Sequence, residues 1–291
     1  MVMTVLLTDA KHVLGPVADE VNDLVYADDT LVVAAGEDRA ADYMRAISDA
    51  GANYGLRYNW RKLEVLPVRC QASISKPDGQ PVVQKESIVY LGAVLSSNGN
   101  IDAELSRRLG AARSEFDKLA RIWSHSTLSA YKKVNIFNAC VISKLLYSLH
   151  TAWLKKTELS KLDAFQACCL RKVLGIPHSY IRHVTNSSVL GQARQSRLSQ
   201  ILLERQLTLL GKIARMGDGH PVRGCLFKPG TVELRIPPSV RRRGRPRQVW
   251  AREVYKHAVH ACVQRSVNWS EVAAMPASVW KSTAREYSRS R

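Results

Sequence analysis

A mixed α+β chain is predicted from three observations. The first hundred residues pass from a helical stripe to a tight hairpin, a second helical stripe and short strands. From residue 101 apolar side chains recur at helical spacing, and a Pro- and Arg-rich stretch at 221–246 isolates a last helix. The implied divisions are 1–100, 101–185 and 186–291, the last a basic helical region that contains the Arg-rich linker.

Taken in order, Met3, Leu6, Leu7, Ala10, Val13 and Leu14 predict a helix that ends near Gly15-Pro16. In VNDLVYADDTLVVAA the apolar runs Leu24–Tyr26 and Leu31–Val33 flank Asp28-Asp29, as in a hairpin buried on both faces with the aspartates at its turn. Ala40, Met44, Ile47 and Ala50 predict a helix over 37–54, and the Pro77–Gly79 turn precedes short strands at Val82-Val83 and Ile88–Leu95. Three long helices are predicted next, on stripes from Ile101 to Trp123, Leu128 to Leu149 and Leu159 to Val173, the third closed by Gly175 and Pro177. They can bury one shared seam. A fourth stripe, Leu198 to Met216, stops at Gly217-Asp218-Gly219, and a last helix lies near Trp250–Val263.

With 43 Lys and Arg against 25 Asp and Glu, the net charge of +18 calls for a polyanionic partner, nucleic acid or an anionic membrane. No apolar run approaches the roughly 18 residues a spanning helix needs. Asp9 and Lys11 break the opening segment, so it is not read as a signal peptide. The charge is segregated: −4 over residues 1–100, +10 over 101–200 and +12 over 201–291. Carboxylates that hold cations in front and a surface that holds phosphates behind would account for this, with ordinary solvated faces as the alternative. Six cysteines at 70, 140, 168, 169, 225 and 262 form no CxxC pair, which predicts reduced thiols, no disulfide partner and a nuclear or cytoplasmic setting.

Adjacent carboxylates at a hairpin tip repel one another, and no Lys or Arg in Asp23–Asp38 relieves them. A divalent cation would. Mg²⁺ takes a few carboxylate oxygens together with phosphate oxygens and water, which suits phosphoryl transfer; an ordinary Asp-Asp turn is the alternative.

Tyr26-Ala27-Asp28-Asp29 between apolar strands resembles the Tyr-X-Asp-Asp hairpin of reverse transcriptases, specifically those of non-LTR (LINE-type) retrotransposons. Gly55-Leu56, Asn59 and Lys62-Leu63-Glu64 are similar to the family's next palm motif, with Leu63 where threonine is usual. Tyr90-Leu91-Gly92 resembles the primer-grip hairpin between palm and thumb. Leu145-Leu146-Tyr147, Trp153 and Leu170–Ile176 resemble the thumb, and Leu210–Met216 with Arg243–Pro246 and Trp250 resembles the tail of some members. The resemblance implies a partial palm, then a helical thumb bundle and a basic tail. It implies an RNA-directed DNA polymerase using Mg²⁺, or Mn²⁺, on an RNA template and DNA primer with deoxynucleoside triphosphates. Asp28 and Asp29 would be catalytic and metal-binding, Tyr26 would flank the primer terminus, and Tyr90, Leu91 and Gly92 would touch the primer. Basic helices from Arg107 to Lys172 would follow the duplex.

The family's metal site also takes an aspartate from an earlier palm strand, and a glycine-rich motif and fingers precede it; none has a counterpart here. The resemblance therefore implies a fragment in which Met1 was internal to a longer parent, with little polymerase activity alone and an uncovered hairpin edge. Asp9 is not expected to replace the missing ligand.

Lys62 is a candidate to meet the triphosphate or protonate the leaving pyrophosphate, with a solvated lysine as the alternative. Gly92 permits close approach of a strand or marks a bulge. Arg241, Arg242, Arg243, Arg245 and Arg247 surround an Arg-Gly-Arg-Pro core that resembles an AT-hook; a nuclear-import signal or plain phosphate contacts are the alternatives. His257, His260 and Cys262 lack a fourth ligand and are not expected to hold zinc. The competing function is a non-catalytic nucleic-acid-binding module built from the basic helices and the Arg-Gly-Arg-Pro segment.

Overall fold

The computed structural model describes residues 2–15, 21–76, 78–125, 127–178, 180–235 and 248–291. It is a mixed α and β chain, mostly helical, in two compact units, Met1–Asn100 and Ile101–Arg291.

In the first unit, helix α1 (Val2–Leu14) lays Leu6, Leu7 and Ala10 against Tyr43, Ala46, Ile47 and Ala50 of helix α2 (Glu37–Asn53). Both stripes follow the one-face spacing of an amphipathic helix. Between them runs an antiparallel hairpin of β1 (Val21–Tyr26) and β2 (Asp29–Ala34), with Leu24 opposite Leu31 and Tyr26 opposite Asp29. Strand alternation puts Val21, Asp23, Val25, Thr30, Val32 and Ala34 on one face, where Val21, Val32 and Ala34 join the helical core and Val25, near the tip, is exposed. The opposite face carries Leu24, Tyr26, Leu31 and Val33. Leu24 is 55% and Tyr26 64% exposed, so the expectation of burial on both faces fails. The cause is plain: this is a two-stranded ladder with helices on one side.

Short β3 (Glu64–Val65) pairs in parallel with β4 (Val83–Gln84). The strand predicted over Ile88–Leu95 is a hairpin of β5 (Ser87–Tyr90) and β6 (Ala93–Ser96), folded at Leu91-Gly92. These three pairs remain separate two-stranded sheets among the described residues.

The second unit opens with α3 (Asp102–Lys118) and α4 (Ala120–Ser124); the stripe predicted as one helix breaks at Leu119. The next stripe is also divided. Helix α5 (Ala130–Ile136) passes into a π-helical stretch, Phe137–Ile142, then α6 (Ser143–Leu145), and left-handed Ser148 precedes a 3₁₀ turn at Leu149–Thr151. Helix α7 (Lys156–Leu174) ends at Gly175, whose φ of 67° is the left-handed stop that glycine adopts freely. Helices α8 (Asn186–Ala193), α9 (Leu198–Ala214), α10 (Pro221–Leu226), α11 (Trp250–Val263) and α12 (Ala277–Arg289) follow, with a 3₁₀ turn at Trp269–Ala273. Helices α8, α10 and α12 were not anticipated.

Two apolar clusters fill this unit. One gathers Phe116, Phe137, Leu145, Leu162, Leu170 and Val189 with Leu198 and Leu202 of α9. The other gathers Val254, Trp269, Trp280 and Tyr287 around Leu207, Leu210 and Ile213 of the same helix. Buried Glu104 accepts from Arg107 Nε at 2.9 Å and Arg108 Nε at 2.6 Å. Buried Arg171 donates to the carbonyl of Val184 at 2.6 Å and to Asn186 Oδ1 at 3.0 Å, tying down the segment after α7.

Candidate metal-binding hairpin

The tip of the β1–β2 hairpin is a two-residue turn, Ala27-Asp28, closed by the pair Tyr26 and Asp29. The φ of Ala27 is +54°, while Asp28 is not left-handed. That is the pattern of a type II′ turn, whose first central position glycine normally fills. Alanine there stores strain of roughly 1–2 kcal/mol. The turn holds both carboxylates exposed, with no ion pair to either among the described residues.

Two other acids of the first unit are engaged. Asp23 pairs with Lys11. Asp9 accepts a hydrogen bond of 2.5 Å from the Tyr54 hydroxyl, and that bond holds the Tyr54 pKa above its usual value. Among the described residues no three His, Cys, Asp or Glu side chains come together as a metal cluster. Asp28 and Asp29 fit Mg²⁺ or Mn²⁺ in donor chemistry and in uncompensated charge. As two carboxylates they supply part of a coordination shell, leaving the rest to water, phosphate or further carboxylates.

The structure brings Tyr90 to this hairpin. Its hydroxyl donates to the carbonyl of Leu24 at 2.8 Å, and partial burial followed by the Asp29 charge pushes its pKa upward, so it remains a donor. Leu91 and Gly92 have φ of 47° and 72°, a type I′ turn that accounts for the glycine without any approaching strand. Lys62 is exposed in the turn Asn59–Lys62, and among the described residues no hydrogen bond or ion pair joins it to the aspartates. The candidates Arg241, Arg242, Arg243, Arg245 and Arg247 lie outside the described residues.

Within the basic helices Arg108 and Arg171 are turned inward as structural clamps, while Arg113, Arg121, Lys132, Lys144, Lys161 and Lys172 are exposed. His257 engages Tyr287 at 2.9 Å, and Cys262 is buried, which pushes its thiol up to about 11. Sequence reasoning missed Lys11 and Tyr54 as the partners of Asp23 and Asp9. A helical stripe shows that Lys11 and Asp9 lie on polar positions of α1, and nothing in it shows what they face.

Comparison of the chain with protein-family models, with curated proteins and with solved structures gives no match.

Proposed function

We propose that this chain carries part of the catalytic and duplex-gripping apparatus of an RNA-directed DNA polymerase of the non-LTR retrotransposon type, and that it does not catalyse extension unaided. The observation that carries the reading is the strained tip, which holds two adjacent, uncompensated carboxylates beside the Tyr90 hydroxyl. Asp28 and Asp29 would hold Mg²⁺, or Mn²⁺, which when bound activates the attacking hydroxyl and neutralises the leaving oxygens. In the reaction the primer 3′-oxygen attacks the α-phosphorus of a deoxynucleoside triphosphate and pyrophosphate leaves. Tyr26, exposed next to the tip, would flank the primer terminus, with Tyr90, Leu91 and Gly92 along the primer. Lys62 would balance triphosphate charge. The exposed cations of the second unit would contact duplex phosphates, each contact displacing a condensed counterion.

A specific observation favours a second reading, a nucleic-acid-binding module without chemistry. Residues 101–291 carry 34 basic against 12 acidic side chains and pack as a unit with cores of their own. One experiment separates the two. Mg²⁺-dependent primer extension on an RNA template is measured for this chain alone, then with an added polypeptide that supplies a third carboxylate, each with and without Asp28→Asn. Extension that requires the added polypeptide and is abolished by the substitution supports the polymerase reading. Duplex binding that Asp28→Asn leaves unaltered, with no extension in any mixture, supports the second.

A further inference from the structure

The second unit contains a cleft of about 360 Å³ where the first turns of α7 and α9 meet α11 and the end of α12. Three cations line it: Lys156 at the start of α7, Arg197 just before α9 and Arg291 just after α12. None forms an ion pair among the described residues, although the chain offers acids nearby. Asp163, the one acid in the lining, is already taken: its two oxygens accept from the Ser199 amide at 2.9 Å and the Ser199 hydroxyl at 2.7 Å. Asp163 keeps its charge but not its free lone pairs, so the cleft retains a surplus of positive charge from three cations against one carboxylate.

Its remaining wall is aromatic. Trp153 and His257 stack with centroids 5.7 Å apart and planes at 29°. A chain of hydrogen bonds fixes this wall. Arg291 donates to the Tyr287 hydroxyl at 3.1 Å, and that hydroxyl lies 2.9 Å from His257 Nδ1. The Tyr287 oxygen can accept from both Arg291 and His257 or donate its own proton to Nδ1, the tautomer of the ring setting the direction, and either arrangement anchors the imidazole. Burial, followed by the charge of Arg291, holds the His257 pKa below its usual value, so the neutral tautomer is the resting form.

The geometry points to a nucleotide site here: a base or sugar against the Trp153–His257 wall and a phosphate among Lys156, Arg197 and Arg291. The volume lies within the usual range for small-ligand sites, which is roughly 300–1,000 Å³. Cations converging from separate elements onto a cleft with a planar apolar wall match a ligand that is anionic at one end and aromatic at the other. Two sources share that chemistry, a free nucleotide and the phosphorylated end of a single strand. The site draws on no residue of the aspartate hairpin and stands independently of the polymerase reading.

Isothermal titration of the full chain tests it, with three probes: a nucleoside triphosphate, a 5′-phosphorylated single-stranded hexanucleotide and inorganic phosphate. At least one nucleotide probe is expected to bind, with inorganic phosphate weaker by tenfold or more. Lys156→Ala and Arg197→Ala, at exposed positions where folding is preserved, should each weaken that binding about tenfold, the usual scale for one charged hydrogen bond. The titrations are run without divalent cations, so the aspartate hairpin takes no part in them and failure of the hairpin reading remains distinguishable. Tighter binding of the hexanucleotide identifies a strand end, and tighter binding of the triphosphate a free nucleotide. No binding of either nucleotide probe, phosphate binding as tight as theirs, or identical affinities in the folded variants would overturn the assignment.

Discussion

Replacing Gly211 by alanine should destabilise the helical unit, against the general helix preference for alanine. Gly211 lies inside α9, facing α12. A Cβ built there would fall 2.1 Å from Trp280 Nε1 and 2.2 Å from its Cδ1. Trp280 has no room to retreat: it is 0% exposed, packs edge-on to Trp269 at 5.6 Å, and donates through Nε1 to the carbonyl of Leu207 at 2.8 Å. Overpacking of this kind costs about 1–3 kcal/mol. Pulling the indole from Leu207 leaves a buried donor and acceptor unmet, about 1–3 kcal/mol more. Higher helix propensity returns about 1 kcal/mol. The net loss is about 3 kcal/mol, which for a unit of this size lowers the melting temperature by roughly 10 °C. Gly110→Ala is the control, because Gly110 is also helical and its missing Cβ points into open space. That change should stabilise by roughly 0.5–1 kcal/mol. Thermal unfolding followed by circular dichroism measures both. A Gly211→Ala protein that melts at or above the parent temperature would refute the argument from close packing.

Three further outcomes are expected. Ala27→Gly should relieve the left-handed strain at the hairpin tip and stabilise the first unit by about 1 kcal/mol, read as a shift of its urea midpoint. Glu104→Gln should cost about 3 kcal/mol, because it removes the buried charge to which Arg107 and Arg108 both donate; an unchanged urea midpoint would contradict the clamp. His150 and His257 both have pKa values lowered, first by burial and then by Arg205 and Arg291 respectively. Their unfolded forms take up protons first as pH falls. Their contribution is therefore complete above the unfolded value of about 6.5 and is lost as pH drops through it towards the folded values. Melting temperatures from pH 7.5 to 5.5 should fall, and His150→Gln with His257→Gln should flatten that slope.

The helices legible in the sequence are those whose stripes are long and rich in leucine, such as α7 and α9. Helix α12 escaped because its buried face is Trp280, Thr283, Ala284, Tyr287 and Ser288, which alternates polar and apolar groups that a hydropathy pattern does not register. The stripe from Leu128 to Leu149 read as one helix because side-chain spacing carries no trace of a π-helical turn or of left-handed Ser148. The hairpin was visible through its turn. Its single covered face was not, since a continuous apolar run reads alike whether one side or both are packed. At the candidate site Asp28 and Asp29 were legible as adjacent like charges. The Tyr90 contact with Leu24 spans 66 residues, and the cleft draws on groups from Trp153 to Arg291, so neither leaves a local signature.

Helix α9 serves two masters: Leu198 and Leu202 belong to one cluster, while Leu207, Leu210 and Ile213 belong to the other. Melting either cluster strips one end of this helix of its tertiary support. The amide protons along its length should therefore exchange with solvent at a common, slow rate, as one cooperative block rather than as two.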